Sequence, residues 1–586
     1  MKLIVRQYLE GLRERDELDA ILPLLLSELG FHVLSRPGRG TRQAGVDVAA
    51  VGPDERDDGK EKLFLFVIKS GDLTRADWDG VSPQAVRPSI NEILDSYIPT
   101  RIPEEYRNHE IAICLCMGGE TKEAVATQWT NFQRTNVKDG LCFREWNGDK
   151  LANFLLSGLL KQDLLSGDER TAFQKAVAMV DQPDVSYRFF VEMAGALTRE
   201  HDTDRKTLTR LRQLYVCLWV LYVWARETDN LEAPFRASEF SLLLTWDVCR
   251  TLTERDDRHA KACMDALDGM LRLHLLVSGD LLERKIAPYA DKRFALSMAV
   301  GSQSSVDVNL SLYETLGRVC MFGIWKHWLA ERHPEGEDHE KASEWRDRSL
   351  EMAVGMINAN PGLLSPIRDD FAIEIALFMM LADTCERVGD VTGFLTGMAH
   401  RLRFSLQRRG AYPITSRNYH DLVEHPVDRS DGYLENNTKG SVLYPLLISW
   451  LDALGADDAR NQLTDVLSRD LEHCTQQVWL PDSDSDNLLW SGNREHGVSI
   501  PGLDLGEPTA YELVLQKACE DHPEINEMTA LKIEFWPILL AACRHYRMPI
   551  PPQLWFLSGL SSTAEGCSGE DAEESTNASD PTGGQS

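Results

Sequence analysis

Three short segments in succession carry apolar residues over strand length: Phe31–Ser35, Gly45–Val51 and Lys62–Lys69. Turn chemistry separates them, Pro37-Gly38-Arg39-Gly40 after the first and the acidic Asp54–Gly59 after the second. The third run is apolar at every position from Leu63 to Ile68, the pattern of a central strand covered on both faces. Ahead of them, Leu9, Leu12, Leu18, Ile21, Leu22, Leu25 and Leu29 recur near helical spacing until Gly30 stops the run. Pro23 either kinks this helix or opens its second half. Downstream the pattern predicts a helix around Arg87–Tyr97, a strand over Glu110–Met117, a helix over Lys122–Arg134, a strand over Leu141–Trp146 and a helix over Asp149–Leu160. That order describes a mixed α/β domain over residues 1–165.

Beyond residue 165 the periodicity is helical and no strand pattern stands out. Candidate helices follow one another from 168–181 through 308–332, 440–454 and 457–477 to 526–545, with turn signals such as Asn360-Pro361-Gly362 between some of them. The expectation is a large all-α region, helical-repeat-like but without a fixed period, divided near the polar stretch at 333–340 into domains over 166–335 and 336–560. Residues 561–586 are Ser-, Gly- and acid-rich with almost nothing apolar, the composition of a disordered acidic tail.

Charge narrows the classes. The net charge is -30, so no whole-chain basic footprint exists for nucleic acid, and any such contact must be local. The N-terminal 165 residues hold 21 Lys and Arg against 26 Asp and Glu, so most of the acid excess lies downstream. Twelve scattered cysteines without a C-x-x-C pair read as buried free thiols of a reducing compartment. The charged start and a longest apolar run of only Leu214–Ala225 argue against a signal peptide or a membrane span, which needs ~20 residues. A cytoplasmic protein with no membrane partner is expected.

Two charges stand at the ends of the neighbouring strands: Asp47 inside Gly-Val-Asp-Val-Ala and Lys69 after Phe-Leu-Phe-Val-Ile. A carboxylate and an amine placed there can hold a divalent cation and a phosphate together, or form a structural ion pair. Arg36, Arg39 and Arg42 in the intervening turn offer either a cationic lip for a phosphate backbone or a solvated loop. Gly40 and Gly45 have Walker-A spacing, but Val46-Asp47 stands where Lys-Ser/Thr must follow, which excludes a P-loop. Asp482, Asp484 and Asp486 imitate a calcium loop, yet Asn487 and Asn493 replace its glycine and bidentate glutamate, so a solvated turn is expected. His420, His425, His473 and His496 lack metal-ligand spacing. Gln407–Gly410 and Arg544–Arg547 are small basic clusters in an acidic region.

The helix, the Gly-Phe strand start, the Gly-Val-Asp47-Val strand and the apolar strand ending in Lys69 together resemble the restriction-endonuclease-like fold, the PD-(D/E)xK superfamily, and within it the Mrr-type branch. Arg144-Glu145-Trp146-Asn-Gly-Asp149-Lys-Leu151 is similar to the end of such domains. The resemblance spans roughly residues 5–160. It implies a metal-dependent DNA endonuclease in which Asp47 binds Mg²⁺ or Mn²⁺ and Lys69 positions the attacking water. The family's second acid falls at Val67, a departure. The Ile68 carbonyl remains available, and a replacement carboxylate is sought in Glu17, Asp19 or Asp72. Arg36, Arg39 and Arg42 would grip DNA. The helical region would serve as a sensor or assembly platform, a plan that looks like effectors of bacterial anti-phage defence and leaves room for a protein partner or homo-oligomer. The alternative is a degenerate nuclease-like scaffold that binds DNA or protein without cutting, or a helical adaptor whose acidic surface recruits a basic partner.

Overall fold

A computed structural model describes residues 2–35, 44–80, 85–157, 167–198, 204–302, 304–408, 410–425, 427, 430–503, 505 and 508–555. The chain divides into two compact units, residues 1–277 and 278–586. The boundary falls inside the helix Arg258–Leu281, not at the polar stretch near 335–336, which separates two helices (Ser305–Arg332 and Glu337–Ala359) that pack on one another. The stretch 561–586 lies outside the described residues.

In the first unit, α1 (Lys2–Gly11) leads through a π-helical turn (Glu14–Leu18) into α2 (Asp19–Glu28). Pro23 sits within α2 and does not open a new helix. Five strands follow in one sheet: β1 (His32–Ser35), β2 (Val48–Asp54), β3 (Lys60–Lys69), β4 (Ile111–Met117) and β5 (Leu141–Trp146). Their spatial order is that of the chain, antiparallel across β1–β2–β3 and parallel across β3–β4–β5. Between β3 and β4 lie α3 (Arg75–Asp79), α4 (Val86–Glu92) and a short α5 (Ile98–Thr100); α6 (Glu123–Asn136) joins β4 to β5, and α7 (Gly148–Ser157) follows.

The unbroken apolar run of β3 has a direct cause. Leu63, Leu65 and Val67 face a core with Trp78 of α3, Ile90 of α4 and Trp129 of α6. Phe64 and Phe66 face the other way, into a ring cluster with Phe31, Trp146 and Phe154 of α7 at centroid distances of 4.7–6.2 Å. The strand is covered on both sides and cannot alternate with polar residues.

At the end of the sheet remote from Lys69, two buried charges, Asp54 and Lys62, interlock with a partly buried third, Arg144. Lys62 Nζ lies 3.1 Å from Asp54, and Arg144 Nε donates to both Asp54 oxygens at 3.0 and 3.1 Å. Burial opposes ionisation of Asp54, but the Arg144 and Lys62 bonds prevail and hold its carboxyl down at about 2. A carboxyl depressed in the folded state stabilises fully above its unfolded value. That contribution should fade as pH falls from ~4 to ~2. Asp54→Asn, which takes the carboxylate from Arg144 while Lys62 keeps Asp57 at 2.7 Å, should cost about 3 kcal/mol at neutral pH and flatten this acid limb, as read by urea melts across pH. An unchanged acid limb would remove Asp54 from the account.

The remainder of the first unit is helical: Gly167–Ala178, Pro183–Thr198, Asp204–Glu227, Glu232–Arg250 and Arg258–Leu281. The second unit is mostly helical but not all-α. It holds a three-stranded sheet of β6 (Gly440–Ser441), β7 (Thr475–Leu480) and β8 (Val498–Pro501). The expected helix over 457–477 ends at Asp470, and the one over 526–545 is broken into Pro523–Glu527, Thr529–Lys532 and Pro537–Tyr546. Among the described residues no helix is long and apolar enough to cross a membrane.

Candidate functional site at the end of the central strands

Asp47 stands immediately before β2, aimed by a tight turn at Gly45. There φ is +81°, and a Cβ would lie 2.2 Å from the Ser89 carbonyl oxygen, so only glycine fits. The half-buried Asp47 carboxylate accepts the Ile68 amide at 2.7 Å, and the Asp47 amide donates to the Phe66 carbonyl at 2.9 Å. This fixes the acid one residue from Lys69. Its negative charge, after burial, adds to the upward push on the Cys116 thiol, which lies across from Ile68 in β4.

Lys69 is buried at the end of β3, and its Nζ donates to both oxygens of Glu14 at 3.0 and 2.9 Å. Glu14 opens the π-helical turn and is two-thirds covered. The approach of α1 to the sheet is set by Gly118, where a Cβ would come 2.0 Å from the Leu9 carbonyl oxygen. The site therefore joins three chain segments through two hydrogen-bonded contacts: Asp47 to the β3 backbone, and Glu14 to Lys69.

Glu17, the expected helix carboxylate, is placed differently. It is 1% exposed, held by Arg226 of the helix Asp204–Glu227 at 2.5 and 3.2 Å and by the Arg13 amide at 2.7 Å. An acid that neutralises a buried guanidinium has no oxygen to spare for a metal, so Glu17 is corrected from ligand to structural partner. Asp72 is similarly taken up by Lys122 at 2.6 Å and the Glu120 amide at 2.8 Å. Val67 is 1% exposed within the core of Leu65, Ile90 and Leu115 and contributes nothing polar. Glu14 is the residue that sequence reasoning missed, although it lies only one helical turn before Glu17. Arg36, Arg39 and Arg42 lie outside the described residues, as does Arg409.

Elsewhere the polar candidates are structural. Asp482 accepts the Asp484 amide and the Ser485 hydroxyl, and Asp486 accepts the Thr529 amide and hydroxyl, so the acidic turn braces a loop. Arg544 is 4% exposed and donates to Glu314 at 2.9 Å, which removes it from any nucleic-acid surface. His425 is buried against Tyr412. Among the described residues no group of three or more His, Cys, Asp or Glu is disposed to hold a metal. Magnesium takes one or two carboxylates and completes its shell with water and substrate phosphate; the carboxylates at this end of β3, Asp47 and Glu14, each already accept a hydrogen bond, from the Ile68 amide and from Lys69. No family model, curated protein or solved structure matches the chain.

Proposed function

We propose that the N-terminal α/β domain is a metal-dependent DNA endonuclease of restriction-endonuclease-like type. The observation that carries the reading is that Asp47, tied to the Ile68 amide, and Lys69, paired with Glu14, stand at the same end of β3. Asp47, Glu14 and the Ile68 carbonyl would hold Mg²⁺ or Mn²⁺, with Glu14 supplying the acid that Val67 lacks. The ion supplies charge neutralisation at the phosphodiester and a more acidic water. Lys69, held by both Glu14 oxygens, would orient the attacking water and screen the phosphate. The helical region acts as a sensor or assembly platform, which fits a DNA-targeting defence effector by analogy of layout alone.

The test is cleavage of supercoiled plasmid by the full chain in Mg²⁺ or Mn²⁺. Asp47→Ala and Lys69→Ala should each lower cutting by about 100-fold or more with the melting transition retained. Glu14→Gln, which keeps a hydrogen bond to Lys69, should raise the metal concentration needed for half-maximal cutting. A second reading, a non-cutting scaffold, is favoured by the core burial of Val67 and the two-oxygen grip of Glu14 on Lys69. DNA binding that survives all three substitutions, with no cutting in either metal, selects that reading.

A further inference from the structure

The surface element from Pro288 to Met298, in the second unit, leaves large apolar groups in water. Tyr289 is 46% exposed, Phe294 39% and Met298 82%. Two cations lie over the rings: Lys292 Nζ is 5.2 Å from the Tyr289 centroid, and the Arg293 guanidinium carbon 5.1 Å from that of Phe294. Neither cation has a carboxylate partner among the described residues. The neighbouring charges differ, since Arg284 lies 3.7 Å from Asp280 and Glu283 lies 3.8 Å from Arg348; Asp291 is exposed beside the pair.

The backbone adds an independent observation. Phe294 holds φ +60°, a left-handed conformation that is an outlier for a bulky side chain. Its amide donates to the Ala359 carbonyl at 2.9 Å, and its carbonyl accepts the Met298 amide at 2.9 Å, so the turn is locked. Strain that presents a ring to solvent is not repaid by burial, and such strain concentrates at binding surfaces.

We propose that Tyr289, Lys292, Arg293, Phe294 and Met298 form a platform for single-stranded nucleic acid. The exposed rings of Tyr289 and Phe294 offer stacking faces for unpaired bases, and the cation beside each ring meets the phosphates. A duplex hides its base faces, and an acidic peptide would use the cations while leaving the rings idle. The platform shares no residue with the Asp47 and Lys69 site, and its test is run without divalent metal so that cleavage has no bearing on it.

Fluorescein-labelled oligothymidylate is titrated with the full chain in EDTA over a series of KCl concentrations. Lys292→Ala with Arg293→Ala should weaken binding about tenfold or more and flatten the log–log salt slope by about 1.4, the share of two single-strand phosphate contacts. Phe294→Gly should weaken binding while the melting temperature holds or rises, because glycine takes this backbone without strain. A ring with a merely structural role would instead lower the melting temperature. The proposal fails if oligothymidylate does not bind, if the substituted chains bind with the same affinity and slope, or if polyglutamate or a duplex of equal length competes better than the single strand.

Discussion

Val67→Glu, which writes the missing family acid back into β3, is expected to destabilise the chain by about 4 kcal/mol and to add no cleavage. Val67 is 1% exposed between Leu65, Leu115 and Ile90. A carboxylate forced there either stays ionised without a partner or takes up a proton, and a fully buried Glu shifts its pKa upward by about 3–5 units. Each unit is worth about 1.4 kcal/mol at neutral pH. The raised carboxyl also gives the variant a signature: it loses stability as pH rises from the ordinary glutamate value, while the parent does not share that slope. Val67→Ile, by contrast, should stay within about 1.5 kcal/mol of the parent. Urea midpoints at pH 5 and pH 8 read both. A well-folded Val67→Glu chain that cuts faster than its parent would place position 67 in the site and return Glu14 to a purely structural role.

How much of this was legible from residues alone depends on the range of the interaction involved. The five strands of the first sheet were readable because each is a local run whose apolar pattern reports its own burial, and β3 announced its central place by having no polar face. The charges were not readable in the same way. Lys62, at the start of β3, pairs with Asp54 across the β2–β3 turn and reaches the Cys142 sulfur from a distant part of the chain, and nothing in the strand pattern marks it as 4% exposed. Glu14 and Glu17 lie one turn apart, and spacing could not rank them. The π-helical turn over Glu14–Leu18 advances the backbone differently from an α-turn, sending the first acid to Lys69 and the second to Arg226. In the second unit, β7 is six residues and β6 only two, too short for a period-two signal to emerge beside long helices. The unit boundary falls within the continuous helix Arg258–Leu281, whose two glycines, Gly269 and Gly279, do not interrupt it, so composition could not reveal it.

Arg547→Ala is expected to remove about 3–5 kcal/mol of stability, comparable with any single substitution in the first unit. Arg547 follows the helix Pro537–Tyr546 in a left-handed conformation, φ +59°, with its amide closing on the Cys543 carbonyl. Its guanidinium meets Asp370 at 3.1 Å, pairs with both oxygens of Glu374 and donates to the Asp370 carbonyl at 2.9 Å. Arg417 closes the arrangement by donating to the Arg547 carbonyl at 2.7 Å. Glu374 is completely buried, and its carboxyl is held above the ordinary range because burial outweighs the pull of Arg547. Removing the guanidinium raises that carboxyl further. An acid raised in the folded state loses stability as pH climbs from its unfolded value through its folded one, so the deficit of Arg547→Ala should grow from pH 5 to pH 8. Arg547→Gly separates the two burdens carried by this residue: glycine relieves the left-handed backbone by about 1 kcal/mol relative to alanine but leaves the same stranded carboxylate. Combining Arg547→Ala with Glu374→Gln should recover part of the loss and remove its pH dependence, the coupling expected of a buried pair and not of two independent sites. If the double substitution is simply additive and pH-independent, the ion pair is not what holds this end of the helix, and the left-handed cap with its Arg417 bond must carry the stability instead.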